Sequence, residues 1–385
     1  MGGIRDQASQ NFESFLPFAG QHYARGRNYD FGRHHKQAVS KLSCYIRHRI
    51  LTEEEILRAV YGTHGGDGAE KFIQEVFWRI YFKGWLEHRP DVWTQFYQNA
   101  WKDTRNVFDL LGQEPKTSMP SFMYEWYEEL CDSGYLHNHT RMWFASVWIF
   151  TMRWPWQLGA RLFLENLTDG DPASNTLSWR WVAGLHTKGK NYIARKDNIL
   201  TYTKHRVVPD IQLNESAEPL HEDIQWSPTP VKTEIVHTKL NEPVTLVLHE
   251  DDLDGDRYWH NLLRPQRTLI MCISEDDLLQ RSPVVRSYQG QAIRDMTQYH
   301  HSDLIENPTL NDLLHFNGPH EDHIVMPAPP VGRVRDYVQK HSFMERLMIM
   351  NRPIEHFSWP HSKKGFFGLK KQIPTISQQL KLHDG

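Results

Sequence analysis

Apolar residues in the first 200 positions recur mostly three and four apart, and no alternating run of useful length is found there. That spacing is typical of amphipathic helices. Residues 1–35 are predicted as a polar lead-in with one short helix. The longer predicted helices run from Lys36 to Ala59 with a break at Leu51-Thr52, from Ala69 to His88, and at about 92–102, 121–132, 138–152 and 156–167. The pattern therefore predicts an all-helical domain over residues 1–210.

Local signals support several of these helix ends. Thr52-Glu53-Glu54-Glu55 has the form of a capping box, which opens a new helix. The glycine-rich segment 62–68 is predicted as a loop. Pro90 is expected to end the helix that begins at Ala69, because proline cannot donate a backbone hydrogen bond.

After residue 242 the pattern changes to short apolar runs separated by helical stretches. The runs are Val244–His249, Thr268–Ile273, His323–Met326 and Leu347–Met350, with helical stretches at about 255–263, 284–298, 308–316 and 332–341. Buried strands that alternate with helices indicate a doubly wound, Rossmann-like parallel sheet, here over residues 243–385. Residues 211–242 contain Pro219, Pro228, Pro230 and many charges, as a linker does. The chain has no GxGxxG or P-loop motif.

Composition agrees with two domains in 385 residues. The formal net charge is −3, but residues 1–210 hold 26 Lys or Arg against 23 Asp or Glu, and residues 211–385 hold 18 against 24. Eleven of the 14 tryptophans lie in the first part, which supports a boundary near residue 210. A slightly positive first part is only weak support for a polyanionic partner.

The chain is expected to be a cytoplasmic monomer without a membrane partner. Cys44, Cys131 and Cys272 lie far apart, which favours a reducing compartment and disfavours a disulfide frame or a cysteine-rich metal site. The N-terminus has no basic region followed by an apolar run. The longest apolar run, Met142–Met152, is about half the length that spans a bilayer.

The densest chemistry lies between Ser133 and Trp181. This segment combines a His-Asn pair, an arginine, two aspartates, an asparagine and six tryptophans. A solvated helix does not need so many tryptophans, and a plain core does not bury so many polar groups. The mixture indicates a pocket for something flat and polar.

One group of candidate residues precedes this segment. Glu75, Trp78, Arg79 and Phe82 fall at i, i+3, i+4 and i+7, so they share one face of a helix. A carboxylate and a guanidinium on an aromatic stripe suit a pocket wall. An ion pair at i, i+4 beside a core stripe explains the same pattern.

Two further groups lie within the segment, and each also has a structural explanation. Asn138, Arg141 and Met142 share a helical face, which suits either a pocket or a capping asparagine with a core methionine. Asp169-Gly-Asp171 and Asn175 follow in a loop. The two acids could bind a cation, although the oxygen spacing of a calcium site is missing, or accept hydrogen bonds from hydroxyls or a ring edge.

Taken together, four motifs resemble the FAD-binding domain of the DNA photolyase/cryptochrome family. They are Glu-x-x-Trp-Arg-x-Tyr from Glu75, Gly-Tyr-x-His-Asn-x-x-Arg-Met from Gly134, Leu-x-Asp-Gly-Asp-x-Ala-x-Asn from Leu167 with a following Trp-x-Trp, and Val-Ser-Lys-Leu-Ser-Cys-Tyr-Ile from Val39. The match covers residues 20–205, in order and near the expected spacing. It implies an all-α, photolyase-like FAD-binding domain.

The resemblance also implies a set of FAD contacts. Those on the phosphate side are Ser40, Leu42 and Ser43 for the pyrophosphate, with Lys41 in the same stretch, Arg79 near the phosphates and Tyr23 as a neighbour. Those on the ring side are Arg141 and Asp171 at the isoalloxazine, Asp169 at the ribose or amide edge, Asn175 at the flavin N5, and Asn138. The amide of Asn175 would tune the redox forms of the flavin.

On the substrate side the resemblance implies a pocket for cyclobutane pyrimidine dimers. Its catalytic residues are Glu75, Trp78, Asn138, Met142 and Trp181. The indoles offer faces to a flipped-out dinucleotide, and Glu75 offers a hydrogen bond to a thymine edge. Photolyases for the 6-4 product place histidines where this chain has Asn138 and Met142, which disfavours that lesion. One departure from the family is His139, where dimer photolyases often have arginine.

An electron-transfer chain of tryptophans is also implied. Trp179 and Trp156 match two of its members, and Trp101 is the candidate for the third, with Trp93 behind it. Ordinary core packing is the alternative for each.

The implied function is a blue-light-driven deoxyribodipyrimidine photo-lyase, a carbon–carbon lyase that acts on UV-damaged DNA and needs no metal. The alternative is a cryptochrome-like photoreceptor without repair activity, and a weaker one is a flavin-binding module. The α/β domain follows the FAD domain instead of preceding it, as in a circular permutation or a fusion. A second, antenna chromophore is possible but unidentified. Glu250–Asp252, Pro327–Pro330 and Trp359–Phe367 follow predicted strands, where ligands bind or turns form.

Overall fold

The structure is a computed structural model that describes residues 2–33, 35, 38–102, 115–235, 243–274, 280–316 and 323–383, without the side chains of residues 101–102 and 315–316. Within these ranges the first part of the chain is helical and the second part contains a parallel sheet. The predicted fold class is confirmed at that level.

The first part is a bundle of helices of very different length. They are α1 (Ile4–Phe15), α2 (Gln21–Gly26), α3 (Ser43–Arg47), α4 (Glu53–Gly68), α5 (Glu70–Glu87), α6 (Pro90–Lys102), α7 (Pro115–Ser118), α8 (Ser121–Ser133), α9 (Asn138–Ser146), α10 (Trp156–Asn166), α11 (Pro172–Val182) and α12 (Lys196–Tyr202). A 3-10 turn at Leu16–Phe18 follows α1, and a π-turn at Val147–Thr151 extends α9.

The capping box is confirmed, but two predicted boundaries are wrong. Thr52 Oγ1 accepts from the Glu55 backbone N–H at 3.3 Å, and the Glu55 carboxylate accepts from the Thr52 N–H at 3.0 Å. Residues 36–37 of the helix expected from Lys36 lie outside the described residues, and the described helix begins at Ser43, because Lys41 has a φ of 53° and leaves the right-handed helical region. The segment 62–68 belongs to α4, where Gly65 alone departs from helical angles and kinks the helix.

Two glycines allow the elements around the cavity to approach each other. Gly134 ends α8 with a φ of 64°, and a Cβ there would lie 2.6 Å from Thr168 Cγ2. A Cβ on Gly159 in α10 would lie 2.3 Å from the Trp179 ring. The first glycine sets the turn into α9, and the second allows α10 to pack closely against α11.

The second part alternates strands and helices. They are β1 (Val244–His249), α13 (Tyr258–Leu263), β2 (Arg267–Cys272), α14 (Pro283–His300), β3 (Asp303–Glu306), α15 (Leu310–Phe316), β4 (His323–Pro327), α16 (Arg333–Lys340), β5 (Met348–Met350), α17 (Pro353–Ser358), α18 (Phe366–Lys370) and α19 (Ile373–Gln379). The 3-10 turns Phe343–Glu345 and Trp359–His361 follow α16 and α17.

All the strand pairs are parallel, in the order β3-β2-β1-β4-β5. Four of these strands match the apolar runs in the sequence. The edge strand β3 was not predicted because only Ile305 of its four residues is buried, so it carries no apolar run. The order reverses between β1 and β4, which makes their carboxyl ends the usual ligand crevice of such a sheet.

The hydrophobic core is continuous between the two parts of the chain. Leu246 and Leu248 of β1 belong to the same cluster of buried side chains as the helical core. Val247 points to the opposite face of the sheet, where it packs with Leu269 and Met271. One face of the sheet is therefore covered by the helical part.

Backbone contacts also join the two parts. The Leu253 N–H donates to the His48 carbonyl at 3.0 Å, and the Gly255 N–H donates to the Arg49 carbonyl at 2.9 Å. A Cβ on Gly255 would lie 2.1 Å from the Ile50 carbonyl oxygen, so the contact requires glycine. The α/β part is therefore hydrogen-bonded to the backbone of the residues directly after α3.

Residues 211–235 of the predicted linker contain no helix or strand, yet they are attached to the helical part. The Leu220 N–H donates to the Ala183 carbonyl at 2.9 Å, and the Thr229 N–H donates to the His88 carbonyl at 2.8 Å. The segment is therefore hydrogen-bonded to the helical part at several points along its length. None of the helices in the described ranges combines the length and apolar character needed to cross a membrane.

Candidate functional site

A cavity of about 460 Å³ opens between α5, α9 and α11, with the segment before α3 on one side. Its lining includes these predicted site residues: Tyr23, Ser40, Ser43, Glu75, Trp78, Arg79, Asn138, Arg141, Met142, Asp169, Asp171, Asn175, Trp179 and Trp181. Lys41, Leu42 and Trp156 are outside the lining, and the side chain of Trp101 lies outside the described residues. Residues that are up to 158 positions apart thus meet at one site.

The α5 wall of the cavity has the predicted composition but a different pairing. Glu75 does not form the ion pair with Arg79 that its i, i+4 spacing allows. It pairs instead with Arg27, the residue directly after α2. Arg79 is thereby available to Glu53 at 3.5 Å and Asp171 at 3.5 Å. The helix presents its carboxylate and its guanidinium to different partners across the cavity.

Asp171 caps α11 and also neutralises two cations. Its Oδ1 accepts from the Ser174 backbone N–H at 2.7 Å, while Oδ2 lies 3.5 Å from Arg79 and 3.8 Å from Lys83 Nζ. Burial alone would raise the pKa of Asp171, but Arg79 and Lys83 hold it well below its usual range. Burial also lowers the pKa of Lys83, against the opposing effect of Asp171.

Asp169 leaves one oxygen for a ligand. Arg141 Nη2 donates to Asp169 Oδ2 at 3.0 Å, and Arg141 Nε donates to the Leu136 carbonyl at 2.9 Å, which fixes the guanidinium. Burial favours the neutral acid, but Arg141 lowers the pKa of Asp169, so the carboxylate is charged. Its Oδ1 is buried without a hydrogen-bond partner among the described residues. Such an oxygen fits a ring N–H or a hydroxyl of a bound cofactor.

The remaining polar residues of the cavity are held in defined orientations. Asn175 Nδ2 donates to the Ala160 carbonyl at 2.8 Å, which fixes its amide. Asn138 Nδ2 lies 3.9 Å from Met142 Sδ, so the two residues that share a helical face are also in contact. Asn138 is the first residue of α9, and His137 provides the cap.

The stretch from Ser40 to Arg47, which includes α3, connects the cavity to the α/β part. Ser40 and Ser43 line the cavity, and Leu42 is fully buried behind them. Arg47, at the end of α3, donates through Nε to the Gly170 carbonyl at 3.0 Å and pairs through Nη1 with Asp251. Gly170 lies between the two cavity aspartates, so Arg47 ties their loop to the sheet.

Three tryptophans in contact, Trp179, Trp148 and Trp154, extend from the cavity wall towards the surface. Trp179 lies edge-on to Trp148, with 6.3 Å between ring centroids, and Trp148 lies edge-on to Trp154 at 4.7 Å. Trp156 instead stacks on Phe96 at 5.5 Å. Both Trp154 and Trp156 line an open groove of about 830 Å³. Trp93, placed behind Trp101 by the sequence, donates from Nε1 to Asp336.

Some residues of the site were missed by sequence reasoning. Lys83 follows Arg79 at i+4, so the helical stripe from Glu75 could have been extended to it. Phe163 lines the cavity from α10. Arg27 and Arg47 contact the site from distant parts of the chain, and no sequence spacing relates them to the other site residues.

The acidic cluster after β1 faces arginines. Glu250 pairs with Arg281 at 2.8 Å and with Arg333 at 3.2 Å. Asp251 pairs with Arg47, and Asp252 pairs with Arg49 and Arg352, so arginines of both parts of the chain neutralise these carboxylates. The crevice at the carboxyl ends of β1 and β4 is thus occupied by intramolecular ion pairs. The segment Trp359–Phe367, for its part, packs on α5.

Comparison with known proteins identifies the helical part. Residues 72–209 match the family model described as FAD binding domain of DNA photolyase. Curated proteins named deoxyribodipyrimidine photo-lyase are similar to the chain: that of Streptomyces griseus is 29% identical over 187 residues, which is 42% of this chain and 38% of that protein. That of Neurospora crassa is 28% identical over 224 residues, 49% of this chain and 34% of that protein.

The matched region is short relative to these proteins. The photo-lyase of Thermus thermophilus is 29% identical over 147 residues, 37% of this chain and 34% of that protein. The chain therefore spans less than two fifths of the length of these three relatives. A solved structure, a bacterial class III photolyase from Agrobacterium tumefaciens, is 23% identical with a TM-score of 0.39 and covers 52% of this chain and 42% of that chain.

Proposed function

The chain belongs to the DNA photolyase family through residues 72–209, its FAD-binding domain, and on that premise we propose that it is a light-driven enzyme that splits cyclobutane pyrimidine dimers in UV-damaged DNA. The observation that carries the proposal is the composition of the cavity. One space of about 460 Å³ is lined by a charged polar frame, three indoles and the Glu75 carboxylate. The activity named for the curated relatives supports the same assignment.

The cofactor of the proposed reaction is FAD. In its reduced form and excited by blue light, FAD supplies an electron to the dimer. The hydroxyls of Ser40 and Ser43 would hold its pyrophosphate, with Arg79 near the phosphates. Asp169 offers its free Oδ1 to a donor of the cofactor. Asn175 would face the flavin N5 with its amide, whose orientation is fixed by the hydrogen bond from Nδ2 to the Ala160 carbonyl.

The other side of the cavity would receive the dimer. Trp78 and Trp181 supply aromatic surfaces for a dinucleotide that has left the base stack. Glu75 supplies a hydrogen-bond acceptor for a pyrimidine edge and is held in place by Arg27. Asn138, in contact with Met142, supplies a second amide. The proposed reaction would break the two inter-ring carbon–carbon bonds of the dimer with no net redox change, so it would need no further oxidant or reductant.

The direct test is light-dependent repair of an oligonucleotide that contains one thymine dimer. The protein, loaded with FAD and photoreduced, should remove dimers under blue light and none in the dark. Glu75→Gln should lower the repair rate while FAD remains bound, because the pyrimidine edge loses a charged acceptor. Glu70→Gln is the matched control, since Glu70 lies on the same helix with its side chain 52% exposed.

The alternative function predicts a different result. A cryptochrome-like photoreceptor would bind FAD and respond to light without loss of dimers. Absence of light-dependent repair in protein that retains FAD would therefore contradict the proposed enzyme.

A further inference from the structure

The groove of about 830 Å³ that Trp154 and Trp156 line, here called the outer groove, has no part in the proposed function. We propose that it binds a small, uncharged aromatic electron donor with hydroxyl groups, and that Trp154 and Trp148 pass the donor's electron to Trp179 at the cofactor cavity. This inference rests on the proposed function, because the flavin held in that cavity is the electron acceptor. It assigns a ligand class to the groove and an outer end to the electron chain.

Ring contacts connect the cavity to the outer groove. Trp179 lines the cavity, Trp148 is fully buried, and Trp154 is half-buried at the groove. The ring centroids of Trp179 and Trp148 are 6.3 Å apart, and those of Trp148 and Trp154 are 4.7 Å apart. A Cβ on Gly159 would clash with the Trp179 ring and lie 3.0 Å from Trp148, so this glycine allows both indoles to pack against α10. Because electron transfer slows steeply with distance, rings in contact favour it.

The backbone around Trp154 holds the outer two rings together. Trp148 Nε1 donates to the Pro155 carbonyl at 2.8 Å, and the Trp154 backbone N–H donates to the Trp148 carbonyl at 3.0 Å. Arg153, directly before Trp154, has a φ of 56°, in the left-handed region that a residue other than glycine adopts only at a cost. Strain of this kind persists where the surrounding structure enforces it, and it is concentrated at functional sites.

Trp156 lines the same groove but lies outside this series of contacts. Its ring stacks on Phe96 at 5.5 Å, and the Arg180 guanidinium lies 5.9 Å from its centroid. Among the residues that the structure describes, its ring contacts neither Trp179 nor Trp148. A neighbouring cation also disfavours the loss of an electron from an indole. The contacts therefore favour Trp154 as the outer donor.

The lining of the outer groove indicates the class of its ligand. The two indoles offer faces on which a flat ring can stack. Side-chain amides, which can donate to and accept from hydroxyl groups, are contributed by Gln95, Asn99, Gln157 and Asn214. Two arginines face three carboxylates there, so an anionic donor is disfavoured. An uncharged aromatic ring with hydroxyl groups, such as hydroquinone, fits this combination.

The proposed transfer moves one electron at a time. Trp179 loses an electron to the photoexcited cofactor, Trp148 restores Trp179, and Trp154 restores Trp148. The bound donor then reduces Trp154, releases a proton to water and leaves in its one-electron oxidised form. Each tryptophan ends in its original state, and no bond to the protein forms or breaks.

The first test measures binding of hydroquinone to the FAD-loaded protein in the dark, by equilibrium dialysis. The wild type should bind at a single saturable site. Trp154→Ala should weaken binding by about tenfold, because the stacking surface is lost. Trp154→Phe retains an aromatic face and should bind hydroquinone as the wild type does. Absence of saturable binding to the wild type would overturn the proposal.

The second test measures photoreduction of the bound flavin without DNA, at increasing concentrations of hydroquinone. The wild-type rate should rise and saturate with the binding curve. Trp154→Phe and Trp148→Phe should lose this dependence on hydroquinone while they retain FAD, because phenylalanine is a poor electron donor. Trp126→Phe, a buried indole that stacks on Trp143, is the matched control and should retain the dependence. Dithiothreitol, which has no ring to stack, should show no saturation.

Two results separate the outer groove from the alternatives. Hydroquinone dependence that survives in Trp154→Phe but is lost in Trp156→Phe would overturn the proposal, since electrons would then enter through Trp156. Protein that is photoreduced through the groove but repairs no dimer would contradict the proposed enzyme and support the groove. Repair without any dependence of photoreduction on hydroquinone would support the enzyme and overturn the groove.

Discussion

Asp171 both caps a helix of the cavity wall and pairs with two cations beside it. It caps α11 through the Ser174 N–H, and it is the carboxylate closest to Lys83, a buried lysine on α5. Its motif position identifies it in the sequence. Its pairing with Lys83 and Arg79 depends on helix packing and was not predicted, although the motifs had marked Arg79 as a residue near the cofactor's phosphates. A buried charge without its partner is strongly destabilising.

Substitutions of Asp171 can separate the cap from the charge. Asp171→Asn retains an oxygen acceptor for Ser174 but breaks the ion pair of the buried Lys83 and leaves Arg79 with Glu53 alone, so we expect unfolding to need about 3–5 kcal/mol less. Asp171→Ala also removes the cap, for about 1 kcal/mol more. Urea unfolding measures both. Equal stability of the Asn variant and the wild type would show that the cations do not depend on this carboxylate.

Trp179 provides a second prediction for a single residue. Its ring lines the cavity and lies edge-on to Trp148. Trp179→Phe should slow photoreduction of the bound flavin while FAD remains bound, because the cavity indole that is in contact with Trp148 is lost as an electron donor. Trp126→Phe is the control, since Trp126 is a buried indole that stacks on Trp143. Flavin absorbance under continuous illumination measures the rate, and equal rates in both variants would argue against a tryptophan donor at position 179.

At the scale of elements, the short stretch 43–49 connects the cofactor cavity to the sheet. Arg47 joins the Gly170 carbonyl to Asp251, and Arg49 pairs with Asp252 at 2.9 Å and with Glu355. The sequence pattern predicted a long helix here and gave no sign of a contact. Both arginines are buried, so their partners had to be supplied by the other part of the chain.

Asp251→Asn tests whether the sheet supports the cofactor site. Breaking a buried ion pair should cost about 3–5 kcal/mol and release Arg47 from its position at Gly170. We expect FAD to be lost more readily on gel filtration, while the flavin that remains is photoreduced at the wild-type rate. The control is Asp303→Asn, which breaks an exposed pair with Arg267 worth less than about 1 kcal/mol. If both variants retain FAD equally, the sheet does not support the site.

The elements that the sequence predicted well are those whose burial is visible in local periodicity. β1, β2, β4 and β5 are apolar runs, and α5 carries a continuous stripe. β3 was missed because it lies at the edge with one buried residue. The helices α17 to α19 were also missed; they pack on α5 or on one another, so their amphipathic pattern is short and depends on tertiary contacts.

For the molecule as a whole, the motifs identified the cavity residues but not the way in which the two parts are joined. The interface between the two parts of the chain, here called the seam, contains His48 and His300 as well as Arg47 and Arg49. His48 Nδ1 donates to the Glu250 carbonyl at 2.6 Å, and His300 Nε2 donates to the Leu253 carbonyl at 2.8 Å. Leu253 in turn donates to the His48 carbonyl. No sequence motif indicates these histidines, because each one acts by donating a hydrogen bond to a backbone carbonyl in the buried interface.

The buried histidines predict a loss of stability in acid. Burial lowers the pKa of His48 to about 4, helped by Arg47, and burial lowers the pKa of His300 to about 4. In the unfolded chain both would titrate near 6.5. Between pH 6.5 and 4 the unfolded state binds more protons, so the free energy of unfolding falls as the pH falls, by up to about 3 kcal/mol for each histidine. Above pH 6.5 this contribution is fully present.

A variant isolates this effect from other titrating groups. Burial raises the pKa of Glu54 to about 7, which acts in the opposite direction: its contribution is present below pH 4.5 and is lost as the pH rises towards 7. His48→Gln retains an N–H donor for the Glu250 carbonyl but does not titrate. Its unfolding free energy should therefore fall less steeply than that of the wild type between pH 6.5 and 4. Parallel curves over that range would mean that His48 is not neutral in the folded protein, and the seam would then have to accommodate a buried cation beside Arg47.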